Sequence, residues 1–219
     1  MQLANFLKKA NWKVYENPYQ LNLIGFRSNS VKANRFDDTF VCFFKDNRNK
    51  WVTLKWSCTT DTGTYWLENP MMEKGTAMLQ AGQYVDAYAL GYHRGQYRAL
   101  VQAAPVKIRR DYNRNAKLDF MNGKVYKGHF GINIHRARSY GTTLKIDKYS
   151  AGCQVLDNAS NFNELIDLAE YHASVYGNKF SYGLIDERMQ RRTLHRRLTY
   201  GASLLAASSV IYSHYKNAS

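Results

Sequence analysis

From about residue 20 to about residue 135 the chain alternates short apolar runs with polar or glycine-containing links, a pattern of strands and turns. Gln20 to Phe26, Thr39 to Phe44, Trp51 to Trp56, Tyr84 to Leu90 and Tyr97 to Val101 read as strands. Asp46-Asn47-Arg48-Asn49 and Asp61-Thr62-Gly63-Thr64 read as links between them. Residues 2 to 10 fit one short helix. Helical spacing returns after residue 153, where Phe162, Leu165, Ala169, His172 and Ala173 form one stripe. Asn161 with Glu164 three residues on predicts a capping box, and Gly177 a C-terminal stop. This helix is expected to cover the sheet and brace the segment before it. A second helical stretch is predicted from about Asp186 to Tyr215. The expected fold is mainly β, an antiparallel sheet or sandwich with C-terminal helices. Residues 1–180 would form its body, and residues 186–219 a basic, then apolar, C-terminal segment.

Composition supports this reading. The chain has 219 residues, 45% hydrophobic and 14% aromatic, enough for a substantial core and against disorder as the main state. Seventeen tyrosines and four tryptophans against three prolines favour strands. The formal charge of +14 predicts attraction to a polyanion: nucleic acid, an anionic membrane or a cell wall. No recognisable DNA or RNA motif accompanies that charge, so nucleic acid is not the expected partner.

The cluster Arg188, Arg191, Arg192, Arg196 and Arg197 reads as a solvated or partner-binding helix face. Leu198 to Tyr215 carries no formally charged residue but is diluted by Gly201, four serines and several alanines. It is expected to dock on a protein partner or larger assembly rather than to span a membrane. The N-terminal residues lack the order of charge, apolar run and cleavage site of a secretory signal.

Cys42, Cys58 and Cys153 form no CxxC pair, which argues against a disulfide scaffold or a zinc site. Cys42 and Cys58 lie in apolar runs and read as small buried strand residues. Cys153 is different. It ends the small-residue turn Ser150-Ala151-Gly152-Cys153, and fourteen residues separate that turn from His135, which leaves the apolar run Phe130-Gly131-Ile132-Asn133-Ile134. A base, a thiol and nearby backbone N–H groups are the parts of nucleophilic acyl transfer.

This constellation of His, fourteen residues, Ser, one residue and Gly-Cys resembles the signature of the L,D-transpeptidase catalytic domain, cysteine enzymes acting on peptidoglycan stem peptides. The resemblance extends over about residues 38–180 and is specific at 131–155. Upstream, Ser57 to Thr62, Glu73 to Ala77 and Ala81 to Tyr84 are similar to that family's approach to the site, without its proline.

The resemblance implies Cys153 as nucleophile, His135 as the base that generates its thiolate, and Gly152 and Cys153 as oxyanion N–H donors. Ser150 would position the histidine or the substrate. Arg136, Gln154, Tyr149, Tyr88 and His93 are candidate substrate contacts. Ala151 and Val155 stand where the family usually has histidine and arginine or asparagine. The implied activity is transfer or hydrolysis through a Cys153 thioester, with no cofactor. A divergent phage-type member, carried in a virion or released at lysis, would reconcile the absent signal with a cell-wall substrate. The alternative is an idle-site structural or assembly protein of a virion, using its basic surface and C-terminal helix.

Asp111, Asn113, Asn115 and Asp119 alternate like the oxygen ladder of a calcium loop. Ala116 replaces the glycine of such a loop and Asn122 its bidentate glutamate. The segment therefore reads as an asparagine-rich turn, with calcium as a side reading.

Overall fold

A computed structural model describes residues 2–120 and 123–188. In chain order its elements are α1 (Gln2–Lys9), β1 (Asn22–Arg27), β2 (Asp38–Lys45), β3 (Trp51–Thr59), α2 (Thr64–Glu68), β4 (Thr76–Leu79) and β5 (Gly82–His93). They continue with β6 (Tyr97–Gln102), β7 (Val106–Asp111), β8 (Tyr126–Gly128), β9 (Ile134–Arg136), β10 (Gln154–Leu156), α3 (Ala159–Tyr176) and β11 (Phe180–Asp186). The protein is mainly β, and each strand read from the sequence is present. The strands β4, β7, β8, β10 and β11 and the helix α2 were not anticipated.

The expected open sheet or sandwich is corrected to a closed barrel. Its order is β1-β11-β5-β6-β9-β10-β3-β2, with β2 pairing back to β1. Most pairings are antiparallel, but β1 with β11 and β9 with β10 run parallel. Closure removes the exposed edges that an open sheet of this size would carry. β4, β7 and β8 form a separate three-stranded sheet.

The run Phe40 to Phe44 has no polar alternation because both of its faces are covered. Phe40, Cys42 and Phe44 point into the main core, while Val41 and Phe43 pack outward with Leu3 and Leu7 of α1. Fully burying each such side chain contributes about 1.5–3 kcal/mol. On α3, Phe162, Leu165, Ile166 and Ala169 join the main core, as the stripe predicts.

The predicted capping box is corrected by one turn of sequence. Asn158 is the N-cap, its side-chain oxygen accepting from Ser160 N (2.9 Å) and Asn161 N (3.1 Å). Such a cap is worth about 1 kcal/mol. Glu164 instead accepts from Trp56 Nε1 at 3.2 Å. Gly177 ends the helix with φ 85°.

The body continues past residue 180, because every residue of β11 is buried through Asp186. The apolar stretch Leu198 to Tyr215 and the arginines from Arg191 onward lie outside the described residues. Among the described residues, no helix is long and apolar enough to cross a membrane.

Candidate active site

The barrel brings His135 and Cys153 together through backbone pairing. β9 and β10 are parallel neighbours, with Val155 opposite His135 and Gln154 opposite Ile134. Gln154 N donates to Asn133 O at 2.9 Å, which seats Cys153 beside Asn133 at the start of the ladder. The thiol accepts from Asn133 N (3.5 Å) and donates to Gly131 O (3.3 Å).

The turn before the thiol is built from small residues for steric reasons. Gly152 has φ 112°, and a Cβ there would come within 2.1 Å of the Ala77 carbonyl oxygen. Only glycine fits. Ser150 Oγ reaches two carbonyl oxygens, Asp61 (2.6 Å) and Cys153 (2.9 Å), and accepts from Gly152 N (3.2 Å). Ser150 is fully buried and staples this turn to β3's continuation, so its expected contact with the histidine or substrate is corrected. Gly152 N–H is likewise spent inside the turn and is corrected as an oxyanion donor. Cys153 N–H makes no hydrogen bond to the described residues and is free to donate.

His135 is held in one tautomer. Its Nδ1 lies 2.8 Å from the carbonyl oxygen of Arg136, which can only accept, so Nδ1 carries the proton. Tyr97 Oη lies 3.2 Å from both that carbonyl oxygen and Nδ1; with Nδ1 protonated, the hydroxyl donates to the carbonyl. Nε2 is therefore a bare lone pair, and it is buried with no hydrogen-bond partner. That is the form a general base requires.

The charge state differs from the expected thiolate beside an imidazolium. Burial, and then the His93 imidazole, push His135 down to about 3. Burial pushes the Cys153 thiol up to about 11, against a smaller lowering by the Asn133 N–H. Both groups rest neutral, and no hydrogen bond joins them. A thiolate–imidazolium pair is therefore not the resting state.

His93 is drawn into the site by the β5–β6 hairpin. Arg94 and Gly95, with φ 50° and 72°, turn the chain, and Gln96 N donates to His93 O at 2.9 Å. The His93 ring stacks on His135 with centroids 3.9 Å apart and planes at 22°. Burial, and then Arg94, hold its pKa down to about 4.

The other candidates separate. Gln154 is fully buried, accepting from Tyr182 Oη (2.8 Å) and donating to Gly152 O (3.3 Å), so it supports the turn from inside and is not a substrate contact. Tyr88 is fully buried in the barrel core against Tyr182, and its hydroxyl has no hydrogen-bond partner among the described residues. Arg136 lays its guanidinium over the Tyr97 ring at 4.4 Å, beside the site and half-buried. Tyr149 is half-buried, its backbone N donating to Ile146 O at 2.8 Å.

Sequence reading missed Asn133, Tyr97 and Gln102. Gln102 Oε1 accepts from Phe130 N (2.9 Å) and Ile132 N (3.1 Å), shaping the approach to Asn133 and His135. Tyr97 and Gln102 lie on β6, far from the motif in sequence and without a local signal, whereas Asn133 stands two residues before His135 in the same run.

In the asparagine-rich loop the side chains serve their own backbone. Asn113 and Asn115 accept from Asn115 N and Lys117 N, Asp111 accepts from Asp119 N, and Asn113 donates to Asp119. Among the described residues, no group of three or more His, Cys, Asp or Glu is placed to hold a metal ion. An open groove of about 660 Å³ lies between α3 and the β2–β3 hairpin, lined by Phe44, Val52, Leu54, Glu164 and Asp167 among others. It contains neither Cys153 nor His135.

Comparison with protein-family models, curated proteins and solved structures returns no match to this chain.

Proposed function

We propose that the protein is a cysteine acyltransferase or peptidase of L,D-transpeptidase type, acting on peptidoglycan stem peptides. The observation that carries this is the tautomer of His135: Nδ1–H is fixed on the Arg136 carbonyl, leaving the Nε2 lone pair unpartnered on the strand next to Cys153. In the reaction Cys153 Sγ attacks an acyl carbonyl as its proton passes to His135 Nε2. The scissile C–N bond then breaks, and the leaving amine takes that proton from the imidazolium. The thioester left on Cys153 is resolved by an amine, giving transpeptidation, or by water, giving hydrolysis. The net charge of +14 favours approach to an anionic wall, and a virion or lysis role would deliver the enzyme there.

The test is incubation of purified protein with muropeptides, followed by mass spectrometry of products and of Cys153. Release or exchange of a stem-peptide residue, lost in Cys153→Ala, is expected. A wild type that neither turns over nor forms an acyl adduct would sink the reading.

One observation favours the second reading, an idle-site assembly protein: the resting thiol is protonated and makes no hydrogen bond to His135. Inert wild type with equally slow labelling of all three cysteines would support it.

A further inference from the structure

The oxyanion site of this turn is one donor short. Gly152 N–H is spent on Ser150 Oγ at 3.2 Å, so the turn itself offers only Cys153 N–H. Ala151 contributes no polar side-chain atom. A tetrahedral oxyanion is ordinarily met by two or more preorganised donors.

The missing donor is traceable through one amide. Asn133 Oδ1 accepts from Gln102 N at 2.9 Å, and a backbone N–H can only donate, which fixes the orientation of the amide. Asn133 Nδ2 therefore faces His93 Nδ1, at 3.1 Å, and donates to it. With Nδ1 accepting, the proton of neutral His93 sits on Nε2. Among the described residues that Nε2 has no hydrogen-bond partner and, unlike His135 Nε2, it is not sealed from solvent. The two stacked rings thus carry opposite tautomers, a bare Nε2 on His135 and an Nε2–H on His93.

We propose that His93 is a catalytic residue that donates Nε2–H to the acyl oxygen, completing with Cys153 N–H the oxyanion site of the reaction. The role rests on the acyl-transfer reading above. A neutral imidazole suits it, because it polarises a carbonyl without giving up its proton. Stacking at 3.9 Å also holds the His93 ring directly against the base. The strand β5 thereby supplies a histidine next to a turn that has Ala151 in its motif.

Two rates measured on the full chain separate this role from a merely structural one. Alkylation of Cys153 by iodoacetamide needs the thiol and its base but forms no oxyanion. Acylation of Cys153 by a carbapenem, read as an intact-mass shift, needs all three: the thiol–carbonyl bond forms, the lactam C–N bond breaks, and the thiol proton ends on the lactam nitrogen. His93→Phe keeps a flat ring on His135 without the donor, and His93→Gln restores an N–H. His93→Phe is expected to slow acylation about 10²–10³-fold while alkylation stays close to wild type, and His93→Gln to recover part of the loss. If His93→Phe does not fold, His93→Ala takes its place in the same two assays. Equal loss in both rates would show that the ring only holds His135 and would overturn the proposal, as would unimpaired acylation. A wild type that is alkylated at Cys153 yet never acylated would remove the acyl-transfer reading itself, and this role with it.

Discussion

The Arg27 guanidinium lies 2.8 Å from the Asp61 carboxylate, with neither side chain more than a few per cent exposed. Asp186, at 3.7 Å, adds a second carboxylate, and Arg27 also donates to Thr60 Oγ1, Thr60 O and Leu79 O. This buried charge centre bears on the site through one atom. The Asp61 carbonyl oxygen accepts from Ser150 Oγ, which in turn fixes the cysteine turn. Removing Arg27 would leave Asp186, and above about pH 7 also Asp61, as buried charges without compensation.

Cys153 is expected to be the cysteine that labels. Cys42 and Cys58 are wholly buried and burial pushes both thiols up, whereas Cys153 is partly exposed. Peptide mapping after brief iodoacetamide treatment should place nearly all of the adduct on Cys153. Its rate should climb steadily from neutral into alkaline pH, following a thiol pushed up to about 11. A plateau reached near pH 6.5 would instead reveal a preformed thiolate–imidazolium pair.

Acid should destabilise the fold through the stacked histidines. Both have folded pKa values below the unfolded value of 6.5, at about 4 for His93 and about 3 for His135. The stability they contribute is complete above 6.5 and is lost as pH falls through those folded values. The slope is about 1.4 kcal/mol per pH unit for each histidine. Urea melts of wild type and His93→Phe between pH 7 and pH 4 should differ in slope by about one proton. Parallel curves would contradict this.

Asp61 works in the opposite sense. Burial raises it from 3.8 to about 7, so its contribution is fullest below 3.8 and is lost as pH rises through about 7. Asp61→Asn copies the neutral form, and its cost relative to wild type should shrink between pH 5 and pH 8. A cost that grows with pH would show that the carboxylate is charged throughout.

Gly152→Ala should be damaging although it adds a single methyl group. The residue would have to hold φ 112° with its Cβ against the Ala77 carbonyl. A loss of about 1–3 kcal/mol is expected from the backbone alone. Cys153 alkylation should slow further as the turn is displaced. A variant with wild-type melting and labelling would mean that the turn has room to relax.

Ser150→Ala should separate stability from chemistry. It leaves the carbonyls of Asp61 and Cys153 without their shared donor, and Gly152 N–H without its acceptor, at a cost of about 1–3 kcal/mol. Cys153 should still be alkylated in the folded fraction. Complete loss of alkylation in a well-folded variant would give Ser150 a direct chemical role.

The elements legible in the sequence were those whose period is written locally. The run Thr39 to Phe44 and the stripe from Phe162 to Ala173 are buried where their spacing put them. Closure of the barrel was not legible, because it depends on Leu23 to Arg27 meeting Tyr182 to Asp186, some 160 residues away in the chain. In the site, the order of His135 and Cys153 stood in a motif, but the roles of Ser150, Gln154 and Tyr88 did not. A polar side chain next to a cysteine faces cleft or core according to the strand pairing, and β10 pairs so that Gln154 points inward.

The parallel pairing of β9 with β10 also separates the geometry of the reactive atoms from the length of chain between them. His135 and Cys153 are placed by neighbouring rungs of one ladder, and the intervening segment leaves and rejoins that ladder at its two ends. Its middle carries Tyr140 and Leu144, at 75% and 87% exposure. Such a segment can lengthen, shorten or change its side chains while base and nucleophile keep their places. Under the proposed function, substrate preference would drift through this one excursion while His135 and Cys153 stay on their rungs.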